Sequence, residues 1–349
     1  MTHSTSITVH RWGNVQLFTL HNESGMQIDI SDLGATLLSW RAPDRDGRFA
    51  DVLLGHDAPD DYLNSTAFMG AIIGRWANRI RDGQFVIDGI DYQVECNEGA
   101  NHLHGGSAGF HRQMWQARID GATLILSLRS EAGAAGFPGN LEVSVRYALD
   151  AHGTLSIDYE AHTDAPTAVN LTNHAYFNLS GSIAPAADIR DHEITIASDA
   201  IFAIDAGSIP VARQDVSGTA FDLRQPQSIR ARLDESNEQL KLAGGFDHCY
   251  VLHDGNTQEL RTVAMVYDPS SGRELQVATD APGLQFYTGN HLEGETARGG
   301  ARYRKHAGLC LEAGGFPNGI NMDGLAGSNA VLRPGESYRQ RTRYTLRAR

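Results

Sequence analysis

The chain has 349 residues, and 29 lysines and arginines against 42 aspartates and glutamates give it a formal net charge of −13. With 41% hydrophobic and 20% charged residues, the composition is that of a globular protein and excludes a disordered one. The acidic balance argues against nucleic acid and anionic membranes as partners, since both attract basic surfaces.

The sequence also indicates a compartment. No stretch of 18 apolar residues predicts a membrane helix, and the first twenty residues lack the basic start and apolar run of a signal peptide. Cys96, Cys249 and Cys310 lie far apart in sequence, and no Cys-x-x-Cys pair is present. We therefore expect reduced thiols in a cytoplasmic protein.

β-Strand patterns dominate the chain. The segment QFVI-DG-IDYQV predicts a β-hairpin, because Asp88-Gly89 suits the positive φ angles of a two-residue turn. Apolar and polar residues alternate over residues 141–149 and again over 155–161, which predicts a second hairpin. Further strands are expected at residues 123–128, 193–197, 262–267 and 275–279 and in the alternating segment 338–347.

Helical patterns are scarce, with a turn expected at residues 58–64 and one short helix within 226–242. No Pro- or Ser-rich linker and no fixed-period repeat divides the sequence. We therefore predict a single all-β domain over residues 1–349, a large antiparallel β-sandwich with few short helices. A sheet of that size can curve into a polar groove, which suits a sugar.

Four segments interrupt the strand pattern with charged, imidazole or amide groups. They are GRWANRI, NHLHGG, NLTNHAYFNL and LEAGGFP, at residues 74–80, 101–106, 170–179 and 311–317. A buried polar group is costly unless it is hydrogen-bonded. Each segment therefore marks either an internal polar network or a ligand site.

His174 and Glu312 are the candidate proton-transfer groups. Strand alternation places His174 on one face with Thr172, Tyr176 and Asn178. That face is either a solvent-facing polar side or a site for proton transfer near neutral pH. Glu312 ends an apolar run and precedes two glycines, so it is either an ion-pair partner of an arginine or a poised base.

The pair His102-x-His104 raises the question of a metal site, because residues two apart on a strand share a face. No carboxylate follows within residues 105–111, so we expect no metal and instead a hydrogen bond from His104 to a ligand. Arg79 offers donors to hydroxyl or carboxylate groups, and Asp247 either accepts from sugar hydroxyls or caps a turn. Neither a nucleotide-binding glycine motif nor an esterase elbow is present, which leaves cofactor-free acid–base chemistry on a polar substrate.

Taken in order, six parts of the chain resemble the aldose 1-epimerase (galactose mutarotase) family. They are GRWANRI, NHLHGG with GFHRQMW, NLTNHAYFNLSG, GFDHCYVL, PGLQFYTGN and CLE with FPN, and they all lie within residues 70–321. The resemblance implies a galactose mutarotase-like β-sandwich with a sugar in a groove of one sheet. It also implies an isomerase that interconverts the α and β anomers of galactose, glucose or similar free hexoses.

The resemblance assigns roles to individual residues. Glu312 matches the general base and His174 the general acid, and we expect their mutual attraction to raise the pKa of His174 and lower that of Glu312. The implied sugar-binding residues are Asn78, Arg79, His104, Tyr176, Asp247 and Gln285. A small sugar is the implied partner, neither metal nor nucleotide is required, and the oligomeric state stays open.

Two positions beside the matched base depart from the family pattern. Ala313-Gly314 stand where Thr-Gln is common, so we expect a wider pocket, weaker sugar binding and loose discrimination between sugars. Two alternatives stay open. One is a hexose-phosphate epimerase, for which Arg75, Arg79 and Arg112 are the candidate phosphate ligands, and the other is a non-catalytic sugar-binding domain.

Overall fold

The computed structural model describes residues 5–181, 186–253, 257, 259–322 and 330–349. The strands, in chain order, are β1 (Ser6–Trp12), β2 (Val15–His21), β3 (Gln27–Ser31), β4 (Leu37–Pro43), β5 (Phe49–Asp51), β6 (Ile72–Ile73), β7 (Arg79–Ile80), β8 (Gln84–Ile87), β9 (Ile90–Gln93), β10 (His102–Leu103), β11 (Gln116–Asp120), β12 (Thr123–Ser130), β13 (Leu141–Leu149), β14 (Thr154–Thr163), β15 (Thr167–Ala168), β16 (Thr172–Asn173), β17 (Glu193–Ile196), β18 (Ala200–Ile204), β19 (Pro210–Asp215), β20 (Gln227–Ser228), β21 (Asp247–Val251), β22 (Arg261–Tyr267), β23 (Arg273–Thr279), β24 (Gly283–Tyr287), β25 (Cys310–Gly314), β26 (Val331–Leu332) and β27 (Tyr338–Ala348). The α-helices are α1 (Pro59–Asn64), α2 (Ile229–Leu233) and α3 (Glu238–Ala243). None of these helices has the length and apolar character needed to cross a membrane.

Three large antiparallel sheets form the predicted sandwich. Nine strands pair in the order β11-β12-β13-β14-β27-β23-β22-β17-β20, and the two five-stranded sheets have the orders β1-β2-β3-β4-β5 and β19-β18-β21-β24-β25. The nine-stranded sheet packs on both smaller sheets. Its Tyr147 hydroxyl donates to the Ala35 carbonyl at 2.8 Å, and its Tyr344 hydroxyl donates to the Leu311 carbonyl at 2.9 Å. One cluster of buried apolar side chains joins all three sheets. That the whole chain is a single domain stays a prediction.

The sequence alternation becomes strands with one buried face. Alternate residues of β13 are buried, and Leu149 pairs with Leu155 across the predicted hairpin. In the earlier hairpin, Asp88 and Gly89 have φ angles of 53° and 78°, as a two-residue turn requires. The other expected strands are present, with ends that differ by at most two residues from the predicted ones.

The helices differ from the prediction in two places. Residues 226–242 contain α2 and most of α3 rather than one helix, because the Asn237 side chain accepts two backbone hydrogen bonds and starts a second helix. Gly244, with a φ of 69°, ends that second helix. Residues 58–64 form α1 rather than a turn, with Pro59 at the first helical position.

Arg75 is a structural residue that fastens the segment before the site to the nine-stranded sheet. It is 2% exposed, and its guanidinium donates to the carbonyl oxygens of Ser130, Glu131, Pro138 and Gly139. Both terminal nitrogens are thus occupied, and the remaining donor, Nε, is buried, so the guanidinium cannot reach a ligand at the surface. The prediction that Arg75 is available to a phosphate is therefore wrong.

We predict that Arg75→Met lowers the free energy of unfolding by about 3 kcal/mol or more, because several buried carbonyls lose a charged donor. The matched control is Arg118→Met, at an exposed arginine whose partner Asp120 is also exposed. This control should change stability by less than about 0.5 kcal/mol. Urea denaturation measures both variants, and equal losses would show that Arg75 is not a structural anchor.

Candidate active site

A cavity of about 600 Å³ opens above the five-stranded sheet that ends with β25. Asp247 at the start of β21, Tyr287 at the end of β24 and Glu312 in the middle of β25 line it. Its other predicted residues are Asn78, Arg79, His104, His174 and Tyr176. Gln285 does not line this cavity; it lies behind Glu312, at a small cavity of about 20 Å³. The structure thus brings the eight predicted site residues together around one carboxylate.

Glu312 owes its position to strand alternation. In β25, Leu311 and Ala313 belong to the main apolar cluster, so the residue between them faces the opposite side, toward the cavity. Glu312 pairs with Gln285 of β24 in the sheet register. No arginine forms an ion pair with Glu312 in the part of the chain that the structure describes. The geometry therefore agrees with a poised base rather than with a structural ion-pair partner.

His174 stands where a short strand ends. β16 covers only Thr172–Asn173, and the His174 N–H then donates to the Ala71 carbonyl at 3.0 Å. The residue is 4% exposed, so a solvent-facing position is excluded. Its Nε2 atom lies 3.6 Å from Oε1 of Glu312, and its Nδ1 atom lies 3.5 Å from Sγ of Cys310.

Only part of the polar face predicted around His174 points into the cavity. The Tyr176 ring lies beside the imidazole, with 5.1 Å between ring centroids. The Thr172 hydroxyl instead donates to the Ala313 carbonyl, and the Asn178 amide donates to the Ala307 carbonyl. These two side chains brace the backbone.

Burial sets the protonation of His174 and Glu312. Desolvation lowers the pKa of His174 to about 4. Desolvation also raises the pKa of Glu312 well above its usual value; Asp247 raises it further, and Arg79 opposes the shift. The expected mutual attraction is therefore outweighed, and both shifts have the opposite sign from the prediction. In the sugar-free cavity the pair favours a neutral imidazole and a carboxylic acid.

His104 presents a hydrogen-bond donor to the cavity. The Asn78 N–H donates to Nδ1 of His104 at 3.1 Å, so the neutral ring carries its proton on Nε2. Burial lowers the pKa of His104 well below its usual value, which keeps the ring neutral. This protonation agrees with the predicted role of His104 as a donor to a ligand.

The residues that could together hold a metal differ from the pair considered in the sequence. His102 does not share a site with His104: its ring bonds to the Glu95 carbonyl and to the Gly105 N–H, which shapes the loop. His104, His174 and Glu312 instead bring their potential ligand atoms within 4.8 Å of one another. A neutral His104 with a proton on Nε2 has no free lone pair there, so this trio fits a hydroxylated ligand better than a cation.

Arg79 and Asp247 are each held by a second polar residue. Nη2 of Arg79 donates to Oε1 of Glu98 at 2.7 Å, within a two-point ion pair. Nε2 of Gln285 donates to Oδ1 of Asp247 at 2.7 Å. Gln285 therefore orients Asp247 through this bond, and its direct contact with a sugar stays a prediction.

Phe68 and Tyr287 line the cavity but are not among the residues predicted from the sequence. Phe68 has a φ of 56°, and its ring lies 4.7 Å from the rings of both His104 and His111. Tyr287 forms a wall opposite these residues, 6.0 Å from Tyr176. The apolar run that contains Phe68 signals burial but gives no sign of this turn, and aromatic residues carry no distinctive pattern in β24.

Comparison with known proteins identifies the family. The model of the family described as aldose 1-epimerase matches residues 16–345. The chain belongs to the aldose 1-epimerase family. It is 41% identical to a galactose mutarotase of Bos taurus, over 93% of this chain and 92% of that protein. It is 39% identical to an aldose 1-epimerase of Escherichia coli (strain K12), over 94% of each.

Solved structures of aldose epimerases share the fold. A homologue from C. elegans superposes with a TM-score of 0.85 at 27% identity, and covers 99% of both chains. A galactose 1-epimerase from Lactobacillus acidophilus superposes with a TM-score of 0.83 at 29% identity, again over 99% of both chains. The galactose mutarotase-like sandwich predicted from the sequence is thereby confirmed.

Within this aldose 1-epimerase, the cavity is acidic. Besides Glu312, whose raised pKa favours the protonated form, its lining acidic residues are Glu95, Glu98, Asp247 and Glu295. Arg75 is buried elsewhere and Arg79 is paired with a glutamate, which leaves Arg112 as the lining arginine without such a role. A sugar phosphate brings more negative charge into this field, so the electrostatics favour a neutral sugar.

The departures from the family pattern have different consequences at the two positions. The Ala313 side chain is 1% exposed and packs in the apolar core, so a threonine there would not reach the cavity. Gly314 does face the site side, but a Cβ there would lie 3.2 Å from Oδ1 of Asn170. Asn170 already fills this space and donates to the Ala77 carbonyl. The expectation that both replacements widen the pocket is therefore wrong.

We predict that Ala313→Thr lowers the free energy of unfolding by about 1–3 kcal/mol, because it buries a hydroxyl in the apolar core. Its KM for galactose should stay within about twofold of the parent value, since the side chain does not face the sugar. Gly314→Gln should instead raise KM for galactose and glucose by crowding Asn170. Urea denaturation and polarimetric kinetics test both, and a lower KM in Ala313→Thr would contradict this account.

Proposed function

We propose that the protein interconverts the α and β anomers of free aldohexoses, such as galactose and glucose, by ring opening and closure without a cofactor. Family membership supports the reaction class. The observation that carries the assignment of residues is the contact of 3.6 Å between Nε2 of His174 and Oε1 of Glu312, both almost fully buried. The proposed partner is a free sugar. The free thiols of Cys96, Cys249 and Cys310 support a reducing, cytoplasmic location.

Ring opening needs one proton to leave and one to arrive, so it starts from the arrangement of the pair in which the shared proton lies on Nε2 of His174 and Glu312 is ionised. Glu312 removes the proton of the C1 hydroxyl, and the O1–H electrons form the carbonyl bond. The C1–O5 bond breaks, and its electrons take a proton from Nε2 of His174. The aldehyde turns about the C1–C2 bond, and the reversed transfers close the ring on its other face. Each positioned group contributes on the order of 10²–10⁴-fold to the rate.

Burial of the pair assists this exchange. In water, pKa values of about 6.5 for histidine and about 4.3 for glutamate favour the ion pair by about 3 kcal/mol. The cavity lowers the first pKa and raises the second, which removes that preference. Opening the ring carries a proton from His174 to Glu312 through the sugar and turns the ion pair into a neutral pair. Desolvation therefore lowers the energy of the open form.

Other cavity groups hold the sugar during the exchange. The Nε2–H of His104 and the guanidinium of Arg79 are donors for oxygens that gain negative charge. Asp247 is an acceptor for hydroxyl hydrogens, and Gln285 fixes its orientation. Asn78 acts through its backbone N–H, which selects the tautomer of His104, and Tyr176 packs against His174.

We predict that Glu312→Gln slows mutarotation by a factor on the order of 10²–10⁴, because the amide keeps the shape but cannot accept a proton. The decay of optical rotation of fresh α-D-galactose and α-D-glucose measures it. The matched control is Glu274→Gln, at a buried glutamate that pairs with Arg347 in the nine-stranded sheet. It should lose stability but keep its rate. A Glu312→Gln variant within twofold of an active parent would contradict the assignment of Glu312 as the base, whereas a parent that does not accelerate mutarotation would favour a non-catalytic sugar-binding domain.

We predict that kcat/KM falls on the acid side of its pH profile with a pKa of about 4, far below the ordinary histidine value of 6.5. Between this pKa and the raised pKa of Glu312, the pair holds one proton, which the reaction requires. As the pH falls through about 4, the pair gains a second proton and no base remains. Polarimetry across pH, with circular dichroism to verify folding, tests this. An acid limb near 6.5 would contradict it.

A further inference from the structure

Cys310 touches the proposed acid, and the reaction scheme does not use it. It lies two residues before Glu312 on β25, so the two side chains leave the strand on the same side. The residue is fully buried, with its Sγ 3.5 Å from Nδ1 of His174.

We propose that Cys310 is a positioning residue, whose sulfur accepts a hydrogen bond from Nδ1–H of His174 and leaves Nε2 as the only nitrogen that exchanges protons with the sugar. The inference rests on the proposed function, since it assigns the orientation of the acid in that reaction. It adds a residue to the machinery and fixes the tautomer of His174.

The proton inventory of the imidazole supports this assignment. Nε2 faces Oε1 of Glu312 and so must alternate between protonated and free. The neutral and the charged ring then both keep a proton on Nδ1, and both need an acceptor there. The sulfur of Cys310 meets this need in either state, so the ring does not have to turn during the reaction.

A thiol can orient the His174 ring without stabilising its charged form. A carboxylate beside Nδ1 stabilises the imidazolium and raises the histidine pKa. Sulfur is a weak acceptor, and burial raises the pKa of the Cys310 thiol well above its usual value, so it stays neutral. Cys310 therefore orients His174 while desolvation keeps the pKa of that ring low.

Two variants and one control test the proposal. Cys310→Ala removes the acceptor and should lower kcat about five- to twentyfold with KM within about twofold, as for other groups that orient a catalytic side chain. Cys310→Ser keeps an acceptor and should recover a large part of that loss. Cys249→Ala removes a buried thiol of β21 that lies at the small cavity behind Glu312 but does not contact His174, and it should keep the kcat of the parent.

Nitrogen-15 NMR of labelled histidine gives a readout that does not depend on activity, with the His174 signals assigned by their loss in His174→Gln. In the parent, Nδ1 of His174 should carry the proton; in Cys310→Ala, the tautomers should mix. The proposal is overturned if the parent carries the proton on Nε2, if Cys310→Ala keeps kcat within twofold, or if alanine and serine reduce kcat equally. An inactive parent with the expected tautomer would refute the proposed function but not the hydrogen bond.

Discussion

The outer edge of β25 is the constraint on which the site depends. This strand is the last in its five-stranded sheet, and the carbonyls on its open edge are satisfied by side chains instead of another strand. Tyr344 donates to the Leu311 carbonyl, and Gln340 and Thr172 both donate to the Ala313 carbonyl. These bonds fasten the backbone on both sides of Glu312 to the nine-stranded sheet and to the segment that carries His174.

That arrangement lets an edge strand carry a buried carboxylate. An exposed edge admits water, which would restore the ordinary pKa of Glu312. Here the edge is covered, Asp247 lies nearby on β21, and the carboxyl favours its protonated form. The same covering holds Cys310 against His174. Packing therefore sets the electrostatics, and the electrostatics determine where the shared proton lies.

The strands were predictable from sequence and the site only through the resemblance. Alternation located β13 and β14 because each has one face in the core. Taken singly, His174 and Glu312 allowed a structural interpretation as well as a catalytic one. Their opposite pKa shifts depend on desolvation by residues far apart in the chain, and so does the burial of Arg75. Likewise, strand alternation alone does not tell which face of β25 packs in the core. The structure shows that Ala313 lies on the core face and therefore points away from the cavity.

The wall opposite Glu312 shows how backbone strain and chemistry are joined. Phe68, Asn78 and His104 line the cavity with positive φ angles of 56°, 65° and 52°, a conformation that costs non-glycine residues about 1–2 kcal/mol each. Asn78 and His104 stabilise each other: the His104 N–H donates to the Asn78 carbonyl, and the Asn78 N–H donates to Nδ1 of His104. The second of these bonds also fixes the imidazole tautomer. The hydrogen bonds that stabilise this strained backbone therefore also leave the Nε2–H of His104 free as a donor to the cavity. The same contacts thus support the unusual backbone and prepare His104 to bind a sugar oxygen.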